Sequence, residues 1–464
     1  MTDKSVICAI STAPGMGAIA LLRLSGEGAI ELTDQIFKSI TGKKLSSSSP
    51  NRVYYGEIYA DDEVLDEVLV TVFRAPHSFT GEDLIEISCH GSVYIQQRIL
   101  QLLILSGARL ANPGEFTQRA FLNGKMDLSQ AEAVADLIAS SSAASHRMAI
   151  SQMKGTFSEE LRKLRSEMLQ IITLLELELD FSEEDVEFAE RTKLLDIANH
   201  IKKLLTRLSN SFSLGNVIKN GVPVAIVGNT NVGKSTLLNT LLNEEKAIVS
   251  DIAGTTRDVI EDTINLNGIT FRFIDTAGIR ATSDEIESMG IERTFAKIEQ
   301  ANVVLLITDL SRGIESFEQY YNQVKAKIDP TARLIIVLNK TDKVDDILTQ
   351  QETIRLLTSG EEIIPISAKT GYNVPLLIEE LTDTVNSKAL NSADVIVSNV
   401  RHYEALIHAR EAIERAIGGL ESAISGEFVS QDIRECLHYI GEITGEISTD
   451  EVLGEIFKGF CIGK

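Results

Sequence analysis

The chain has 464 residues, 44% hydrophobic and 24% charged, which is typical of globular protein arranged in about two to four domains. Its 67 acidic residues outnumber 44 basic ones and give a net charge of −23, which excludes a general nucleic-acid coat but not a local basic groove. Four scattered cysteines exclude a disulfide framework and a zinc site. Because we find no membrane-length apolar run and no signal-peptide pattern, we expect a cytoplasmic protein that binds no membrane.

The first 118 residues combine short strands with a helix. Runs of β-branched and apolar residues between Gly, Pro and Ser clusters predict strands, which are Val6–Ser11, Ala18–Leu24, Val53–Tyr59, Val64–Phe73 and Leu84–Cys89. A helix is predicted over Ile95–Leu105, ending at Gly107. These elements predict an α+β domain.

From residue 119 to 214 the pattern becomes helical. Ser129 and Glu132 predict a capping box before an Ala-rich helix. Apolar residues at intervals of three and four predict an amphipathic helix, with its stripe at Leu161, Leu164, Met168, Ile171 and Leu175. The segment 176–190 holds eight acidic residues and no basic one, which is typical of a solvated surface.

Residues 215–382 alternate apolar strands with helices, a pattern that predicts a mostly parallel α/β sheet. The predicted strands are Val224–Val227, Phe271–Ile274, Val303–Ile307, Leu334–Leu338 and Ile363–Ile366. Asn267 and Gly268 predict a hairpin turn. Helical periodicity returns over 383–464, with a stripe at Leu406, Ala409, Ile413, Ala416 and Leu420. We therefore predict that 119–214 and 383–464 form one discontinuous domain into which the α/β block is inserted.

A phosphate-binding loop follows the first strand of that block. Gly228-Asn-Thr-Asn-Val-Gly233-Lys234-Ser235 matches GxxxxGK[ST] between a strand and a helix. Its backbone N–H groups can cradle phosphate, Lys234 can reach the β and γ phosphates, and the Ser235 hydroxyl can bind Mg²⁺.

Further GTPase segments follow in order, each at a strand end. Gly254-Thr255-Thr256-Arg257-Asp258 stands at the place of a switch loop and offers a threonine to Mg²⁺. Asp275-Thr276-Ala277-Gly278 can hold the magnesium shell and sense the γ-phosphate. In Asn339-Lys340-Thr341-Asp342, the Asp342 carboxylate can accept both guanine N–H donors. Ser367-Ala368-Lys369 can close over the base. Together they predict a GTP-binding domain.

One position departs from the Ras pattern. Ile279 stands where Ras-like proteins place a glutamine that orients the attacking water. Another polar group must therefore position that water, and a cation must offset the developing charge.

The chain resembles the MnmE (TrmE) family of tRNA-modifying GTPases over essentially its whole length. The resemblance lies in the N-terminal α+β domain, the split helical domain, the GTPase motifs and the terminal Cys461-Ile462-Gly463-Lys464. The resemblance implies a multi-domain α/β fold: an N-terminal α+β folate-binding and dimerisation domain, a discontinuous helical domain and an inserted Ras-like P-loop GTPase domain. It implies an FAD-dependent MnmG-type partner, with which the chain adds an aminomethyl or carboxymethylaminomethyl group to C5 of the wobble uridine of certain tRNAs. It further implies a homodimer, a heterotetramer with the partner, 5,10-methylene- or 5-formyl-tetrahydrofolate as one-carbon donor, and K⁺ in the role of an arginine finger.

The resemblance also assigns residues. It implies K⁺ ligands at Asn231, Ser250, Ile252 and Thr255, Mg²⁺ ligands at Ser235 and Thr256, and folate contacts at Arg23, Glu82, Lys125 and Lys464. Glu287 and Lys234 take catalytic roles, and Cys461 either acts near the folate or simply packs. The implied GTP contacts are Asn231, Val232, Gly233, Lys234, Ser235, Thr236, Ser250, Asp251, Ile252, Ala253, Gly254, Thr255, Thr256, Asp275, Thr276, Ala277, Gly278, Asn339, Lys340, Asp342, Ser367, Ala368 and Lys369.

Arg23 also has a local argument, because a charge within an apolar strand needs a partner or a ligand. At the other end of the chain, Ser448 and Glu451 predict a capping box for a helix that reaches about Lys458. Gly459 can end that helix, and we expect the remaining tail to reach the folate site if it is ordered.

Two alternative functions stay open at this point: a ribosome-assembly GTPase, and a nucleotide-switched scaffold without one-carbon chemistry. Cys461 is the fourth residue from the end, which is the position of the cysteine in a prenylation motif. The terminal lysine and the lack of a preceding polybasic stretch argue against prenylation.

Overall fold

The structure, a computed structural model, describes residues 5–180, 191–248, 262–274, 298, 301–309, 311, 315–344, 346–358, 360–389, 395–422 and 424–463. The chain forms two compact units. The first is drawn from the segments Met1–Ile138, Ala149–Leu205 and Glu404–Lys464, and the second from Ala139–Met148 and Thr206–Tyr403. The predicted division into 1–118, 119–214, 215–382 and 383–464 stays a prediction.

The first unit contains a seven-stranded sheet in the order β3-β4-β5-β6-β2-β1-β7. Neighbouring strands are antiparallel, apart from the parallel pair of β1 and β7. Its strands are β1 (Ile7–Ile10), β2 (Ile19–Ser25), β3 (Phe37–Ser39), β4 (Arg52–Ala60), β5 (Glu63–Phe73), β6 (Leu84–His90) and β7 (Arg109–Leu110). The sequence predicted all of these except β3 and β7, which are too short to show an alternating pattern.

Alternation along the strands sorts the side chains of this sheet onto two faces. On β5, Val68, Val70 and Val72 are buried, while Leu69 between them is 46% exposed. On β2, Leu22 and Leu24 point into the core, so Arg23 points to the other face. There it lies opposite Glu86 of β6 in the strand register.

The helices in the described part of the chain are numbered in chain order. They are α1 (Ala29–Thr33), α2 (Val93–Leu105), α3 (Glu115–Leu122), α4 (Leu128–Ala139), α5 (Ala143–Met153), α6 (Thr156–Asp180), α7 (Arg191–Asn210), α8 (Phe212–Asn220), α9 (Lys234–Ile248), α10 (Glu315–Lys325), α11 (Ile347–Leu357), α12 (Val374–Ala389), α13 (Val400–Glu421), α14 (Gly426–Thr444) and α15 (Asp450–Lys458). The stripes predicted on α6 and α13 are buried, and α6 packs against α14. Among the described helices, none is both long and apolar enough to span a membrane.

Both predicted capping boxes are wrong in position. Helix α4 is capped by Asp127, whose Oδ1 accepts the Gln130 N–H at 3.0 Å, while Gln130 Oε1 accepts the Asp127 N–H at 3.0 Å. Ser129 instead lies inside the helix, where its buried hydroxyl is 2.9 Å from that of Ser158. Helix α15 is capped by Thr449, one residue after Ser448, through a hydrogen bond from Val452 N–H at 3.3 Å.

The second unit contains a six-stranded sheet in the order β13-β12-β11-β8-β10-β9. Its strands are β8 (Val222–Val227), β9 (Asp262–Leu266), β10 (Ile269–Phe273), β11 (Val303–Asp309), β12 (Arg333–Asn339) and β13 (Glu362–Pro365). All neighbours are parallel except β9, which pairs antiparallel with β10. Asn267 and Gly268 form the predicted hairpin turn, with φ of 50° and 81°. Because β8, β11, β12 and β13 run parallel, the loops that follow them meet at one edge of the sheet.

Candidate functional site

The phosphate loop leaves β8 and enters α9, and two of its positions accept only glycine. A Cβ on Gly228, at φ 154°, would lie 2.2 Å from the Ile307 carbonyl oxygen. A Cβ on Gly233, at φ 101°, would lie 2.3 Å from Asn339 Nδ2. The loop therefore passes close to β11 and to the last residue of β12, which restricts the direction of its backbone N–H groups.

Lys234 begins α9 and folds back over the phosphate loop. Its Nζ donates to the carbonyl oxygens of Gly228 at 2.6 Å and Asn229 at 2.9 Å. Burial lowers the pKa of this amine from 10.5. The lysine thus places a cation directly at the loop that the sequence predicts to hold phosphate.

Two consecutive residues, the last of β12 and the one that follows it, hold the phosphate loop through their side chains. Asn339 Nδ2 donates to the Val232 carbonyl oxygen at 2.8 Å, and its Oδ1 accepts the Ala368 N–H at 2.9 Å. Lys340 Nζ donates to the Asn231 carbonyl oxygen at 2.8 Å. Three segments that are distant in sequence therefore form one hydrogen-bonded rim.

Asp342 lies on the same rim, and the Ser367 hydroxyl donates to its Oδ1 at 2.7 Å. That hydrogen bond lowers the pKa of the Asp342 carboxyl below 3.8, so the group is ionised at neutral pH. An ionised carboxylate at this rim can accept the two N–H donors on the edge of guanine.

Asp309 is a residue of this rim that the sequence reasoning missed. It ends β11, and its Oδ2 accepts Lys340 Nζ at 2.6 Å with only 2% of the side chain exposed. Burial raises the pKa of this carboxyl, but hydrogen bonds from Lys340 and Ser311 outweigh it and hold the pKa below 3.8. Its position at the carboxyl end of a strand beside β12 was the available signal.

A second cluster lies in the first unit around the loop between β5 and β6. The Arg23 guanidinium is 5.4 Å from the centre of the Phe79 ring and 5.8 Å from that of Phe116. Its Nη2 donates to Glu86 Oε1 at 2.6 Å. The partner that a strand arginine requires is therefore Glu86, and the aromatic rings form the rest of its surroundings.

Glu82 lies in the same loop, and its carboxylate is 26% exposed. Ser25 Oγ donates to it at 2.8 Å, and Arg119 Nη1 donates to it at 3.1 Å. Lys125 contacts the same loop, because its Nζ donates to the Pro76 carbonyl oxygen at 2.9 Å. The structure thus brings Arg23, Glu82 and Lys125 to one loop.

The C-terminal tail packs against the N-terminal elements. Ser11 Oγ donates to the Gly463 carbonyl oxygen at 3.0 Å, and Gly114 N–H donates to that of Cys461 at 3.3 Å. Gly463, at φ 96°, comes so close to β1 that a Cβ would lie 2.5 Å from the Ile10 carbonyl oxygen. The Cys461 side chain is exposed. The tail after α15 is therefore packed against the start of the chain, while Lys464 lies outside the described residues. That the tail reaches a folate site stays a prediction.

Two family profiles match almost the whole chain: "GTP-binding protein TrmE N-terminus" over residues 6–125 and "MnmE helical domain" over residues 128–461. The chain is 56% identical over 463 residues to the tRNA modification GTPase MnmE of Parabacteroides distasonis, covering 99% of this chain and 100% of that protein. It is 56% identical to that of Bacteroides thetaiotaomicron and 52% identical to that of Flavobacterium johnsoniae, each aligned over 100% of both chains. The chain belongs to the MnmE (TrmE) family of tRNA modification GTPases.

Membership of the MnmE family confirms the predicted multi-domain α/β class with a helical part. The relatives are GTPases of tRNA modification, which favours that function over the ribosome-assembly alternative. The phosphate loop and the rim described above are the candidate GTP-binding site of this MnmE-family chain.

Several predicted site residues lie outside the described part of the chain. They are the switch residues Ser250, Asp251, Ile252, Ala253, Gly254, Thr255 and Thr256, the segment Asp275, Thr276, Ala277 and Gly278, the position Ile279, the acid Glu287, and Lys464. The acidic stretch 181–190 lies outside it as well.

The described residues offer the donor types that Mg²⁺ and K⁺ require. Ser235 is half-buried in the first turn of α9, where its hydroxyl suits a small hard cation. Asn231, within the phosphate loop, is exposed and adopts φ 60°, and its side chain carries an amide oxygen. Among the described residues no cluster of three or more His, Cys, Asp or Glu side chains is placed to hold a metal ion.

Proposed function

We propose that this chain couples GTP hydrolysis to the transfer of a folate-borne one-carbon unit onto C5 of the wobble uridine of certain tRNAs. As a member of its family it is a GTPase that acts in tRNA modification. We propose that it works in the cytoplasm as a homodimer and forms a heterotetramer with an FAD-dependent protein of the MnmG type.

GTP binding is supported by the rim around the phosphate loop. We propose that Asp342 reads guanine, that Ser367, Ala368 and Lys369 close over the base, and that Lys234 holds the β and γ phosphates. Glu287 is proposed to orient the attacking water, the task for which Ile279 has no polar group. Asp275 and Gly278 are proposed to respond to the γ-phosphate.

Two cations complete this proposal. Mg²⁺, bound by Ser235 and Thr256, and K⁺, bound by Asn231, Ser250, Ile252 and Thr255, would supply positive charge against the phosphates during hydrolysis. The exposed amide of Asn231 supports the K⁺ part, because an amide oxygen suits a hard monovalent cation. We propose that the G domains of the homodimer associate in a K⁺-dependent manner.

The observation that carries the folate proposal is the meeting of Arg23, Glu82 and Lys125 at one loop. Two cations suit the carboxylates of a folate, and a carboxylate suits the N–H groups of its pterin ring. The tail packs on the same unit, so Lys464 and Cys461 are proposed to take part there. The donor would be 5,10-methylene- or 5-formyl-tetrahydrofolate.

Titration of the full chain with 5-formyl-tetrahydrofolate tests this proposal by calorimetry. Arg23→Gln should weaken binding at least tenfold, since it removes a hydrogen-bonding charge. Arg98→Gln is the matched control, because Arg98 also pairs with a carboxylate, Asp61, at 2.8 Å on the same unit but away from the loop. Both variants should hydrolyse GTP at the rate of the unmodified chain.

A chain that hydrolyses GTP and yet binds no folate would contradict the one-carbon proposal and favour the scaffold alternative. Mass spectrometry of wobble uridines in cells that lack the protein provides the second test. Unmodified C5 positions in those cells are the expected result.

A further inference from the structure

We propose that Asp309 is a positioning residue for GTP: its buried carboxylate holds the Lys340 ammonium against the main-chain carbonyl of Asn231 and so keeps the phosphate loop ready for the nucleotide. The inference rests on the proposed GTP site and extends it to a residue on a different strand. Asp309 forms an ion pair with Lys340, whose ammonium group also contacts the phosphate loop, so we infer that it acts through that lysine.

The sheet topology places Asp309 where it can act on both loops. It ends β11, which lies between β8 and β12, and it stands opposite Asn339 in the register of β11 and β12. The phosphate loop follows β8, and Lys340 follows β12. A side chain at the end of β11 is therefore next to both.

The environment of Asp309 requires a cation. With only 2% of its side chain exposed, its carboxylate has little access to water and must be compensated by charge and hydrogen bonds. Lys340 Nζ supplies the charge at 2.6 Å, and Ser311 supplies an N–H at 3.0 Å and a hydroxyl at 2.6 Å to Oδ1. Ser311 thereby orients the Asp309 carboxylate so that Oδ2 of Asp309 faces Lys340.

Lys340 carries the effect to the phosphate loop. Its Nζ donates to Asp309 and to the Asn231 carbonyl oxygen, while Asn339 donates to the next carbonyl, that of Val232. Two neighbouring carbonyls of the loop are thus held by two neighbouring side chains. A lysine without its anionic partner regains rotamer freedom, and the hydrogen bond to Asn231 weakens.

The proposal predicts an effect on nucleotide affinity rather than on the hydrolytic step. The loop must be ordered before it can hold the phosphates, so a loose loop raises the Kd for GDP and the KM for GTP together. Once GTP has saturated the protein, the loop is ordered by its ligand. The kcat should then change by less than about twofold.

A double-mutant cycle on the full chain tests this with fluorescent GDP. Asp309→Asn and Lys340→Met should each raise the Kd roughly 10- to 100-fold, the range expected for a hydrogen bond to a charged group. The double variant should bind no more weakly than the weaker single variant, because both changes remove the same contact.

Asp329→Asn is the matched control. Asp329 Oδ1 accepts the N–H and the hydroxyl of Thr331 at 2.7 and 2.5 Å, the same local pattern as Asp309 and Ser311, but the residue is exposed. It should bind GDP like the unmodified chain. If Asp309→Asn fails to fold, the same cycle with Asp309→Glu, which keeps the charge on a longer side chain, takes its place and should show a smaller but equally non-additive loss.

Unchanged GDP affinity in Asp309→Asn, or losses that add up in the double variant, would overturn the inference. A fall in kcat equal to the rise in KM would also overturn it. Failure of the GTP site itself has a different signature: the unmodified chain would then bind GDP poorly, and Lys340→Met alone would have no effect.

Discussion

Asp342 and Ser367 belong to different loops, yet their side chains form one unit through a 2.7 Å hydrogen bond. The bond lowers the pKa of the Asp342 carboxyl and limits the rotation of its side chain before any base binds. Asn339 has the same property, because it donates to one loop and accepts from another. At the scale of the residue, this site is preorganised by side chains that bridge separate segments.

Asp342→Asn should exchange the base preference of the protein. An amide presents one donor and one acceptor, so it cannot accept both guanine N–H groups, whereas it matches the donor and acceptor of xanthine. Competition between GTP and xanthosine triphosphate measures the change. A variant that keeps its preference for GTP would contradict the assignment of Asp342.

Gly233→Ala should abolish tight nucleotide binding. The new Cβ would lie 2.3 Å from Asn339 Nδ2, which has to move and release the Val232 carbonyl. The control is Gly371→Ala, which has a similar positive φ of 80° but nothing within 4 Å of the new Cβ. It should cost only about 1 kcal/mol of stability through its backbone conformation. Equal GDP affinity in the two variants would argue against the tie between Gly233 and Asn339.

At the scale of the element, helix starts depend on backbone shape more than on sequence pattern. Thr449 has the extended φ and ψ of a cap, −101° and 155°, and accepts the Val452 N–H. Ser448 has a similar side chain but stands one residue too early. Helix α15 is then anchored by Leu453 and Phe457, which pack with Leu128 and Ala131.

Thr449→Ala should destabilise the first unit by about 1 kcal/mol, because it leaves an N–H of α15 without its cap. Ser448→Ala is the matched control and should change stability by a few tenths of that value. Chemical denaturation of the full chain measures both. A larger loss of stability in Ser448→Ala than in Thr449→Ala would show that Ser448 caps the helix.

Deletion of residues 461–464 should spare folding, GTP binding and GTP hydrolysis while abolishing tRNA modification. The tail lies beyond α15, and its described contacts are to the start of the chain and to Gly114, far in sequence from the phosphate loop. GTPase rate and wobble-uridine product are measured on the same truncated protein. Normal product would refute the role of the tail, and loss of both activities would show that it is structural.

At the scale of the whole molecule, the net charge of −23 opposes binding of a polyanion such as tRNA and of GTP itself. Local cations must therefore hold each anionic ligand. Lys234 and Lys340 lie beside the phosphate loop, and Arg23 and Lys125 lie beside the loop that carries Glu82. The proposed K⁺, bound in part by Asn231, would add a further cation at the phosphate loop.

GTP hydrolysis should be faster in K⁺ than in Na⁺, and G-domain association with a transition-state mimic should rise in parallel. Asn231→Ala should remove the difference, because its amide oxygen is a proposed ligand, while GDP affinity stays nearly unchanged. Asn220→Ala, an exposed asparagine of α8, is the control and should keep the full K⁺ effect. Equal rates in the two salts for the unmodified protein would contradict the K⁺ site.

Local patterns were enough for a large part of this protein. Alternation of apolar residues predicted β5 and β6, and the dipeptide Asn267-Gly268 predicted the hairpin turn between β9 and β10. The contiguous motif from Gly228 to Ser235 predicted the phosphate loop. Each of these signals is contained in a few consecutive residues. The physical cause, a backbone period or a positive φ, is equally local.

The tertiary structure alone decided which side chains meet. Arg23 pairs with Glu86, Lys340 pairs with Asp309, and the Gly463 carbonyl accepts from Ser11. These partners are far apart in sequence, so no local pattern of residues predicts the contacts. The two caps were misplaced for a related reason, since Ser, Thr and Asp are equally suited to a cap until packing selects the turn. Pairing of charges and placement of helix ends depend on the fold as a whole, because burial sets the cost of leaving a polar group without its partner.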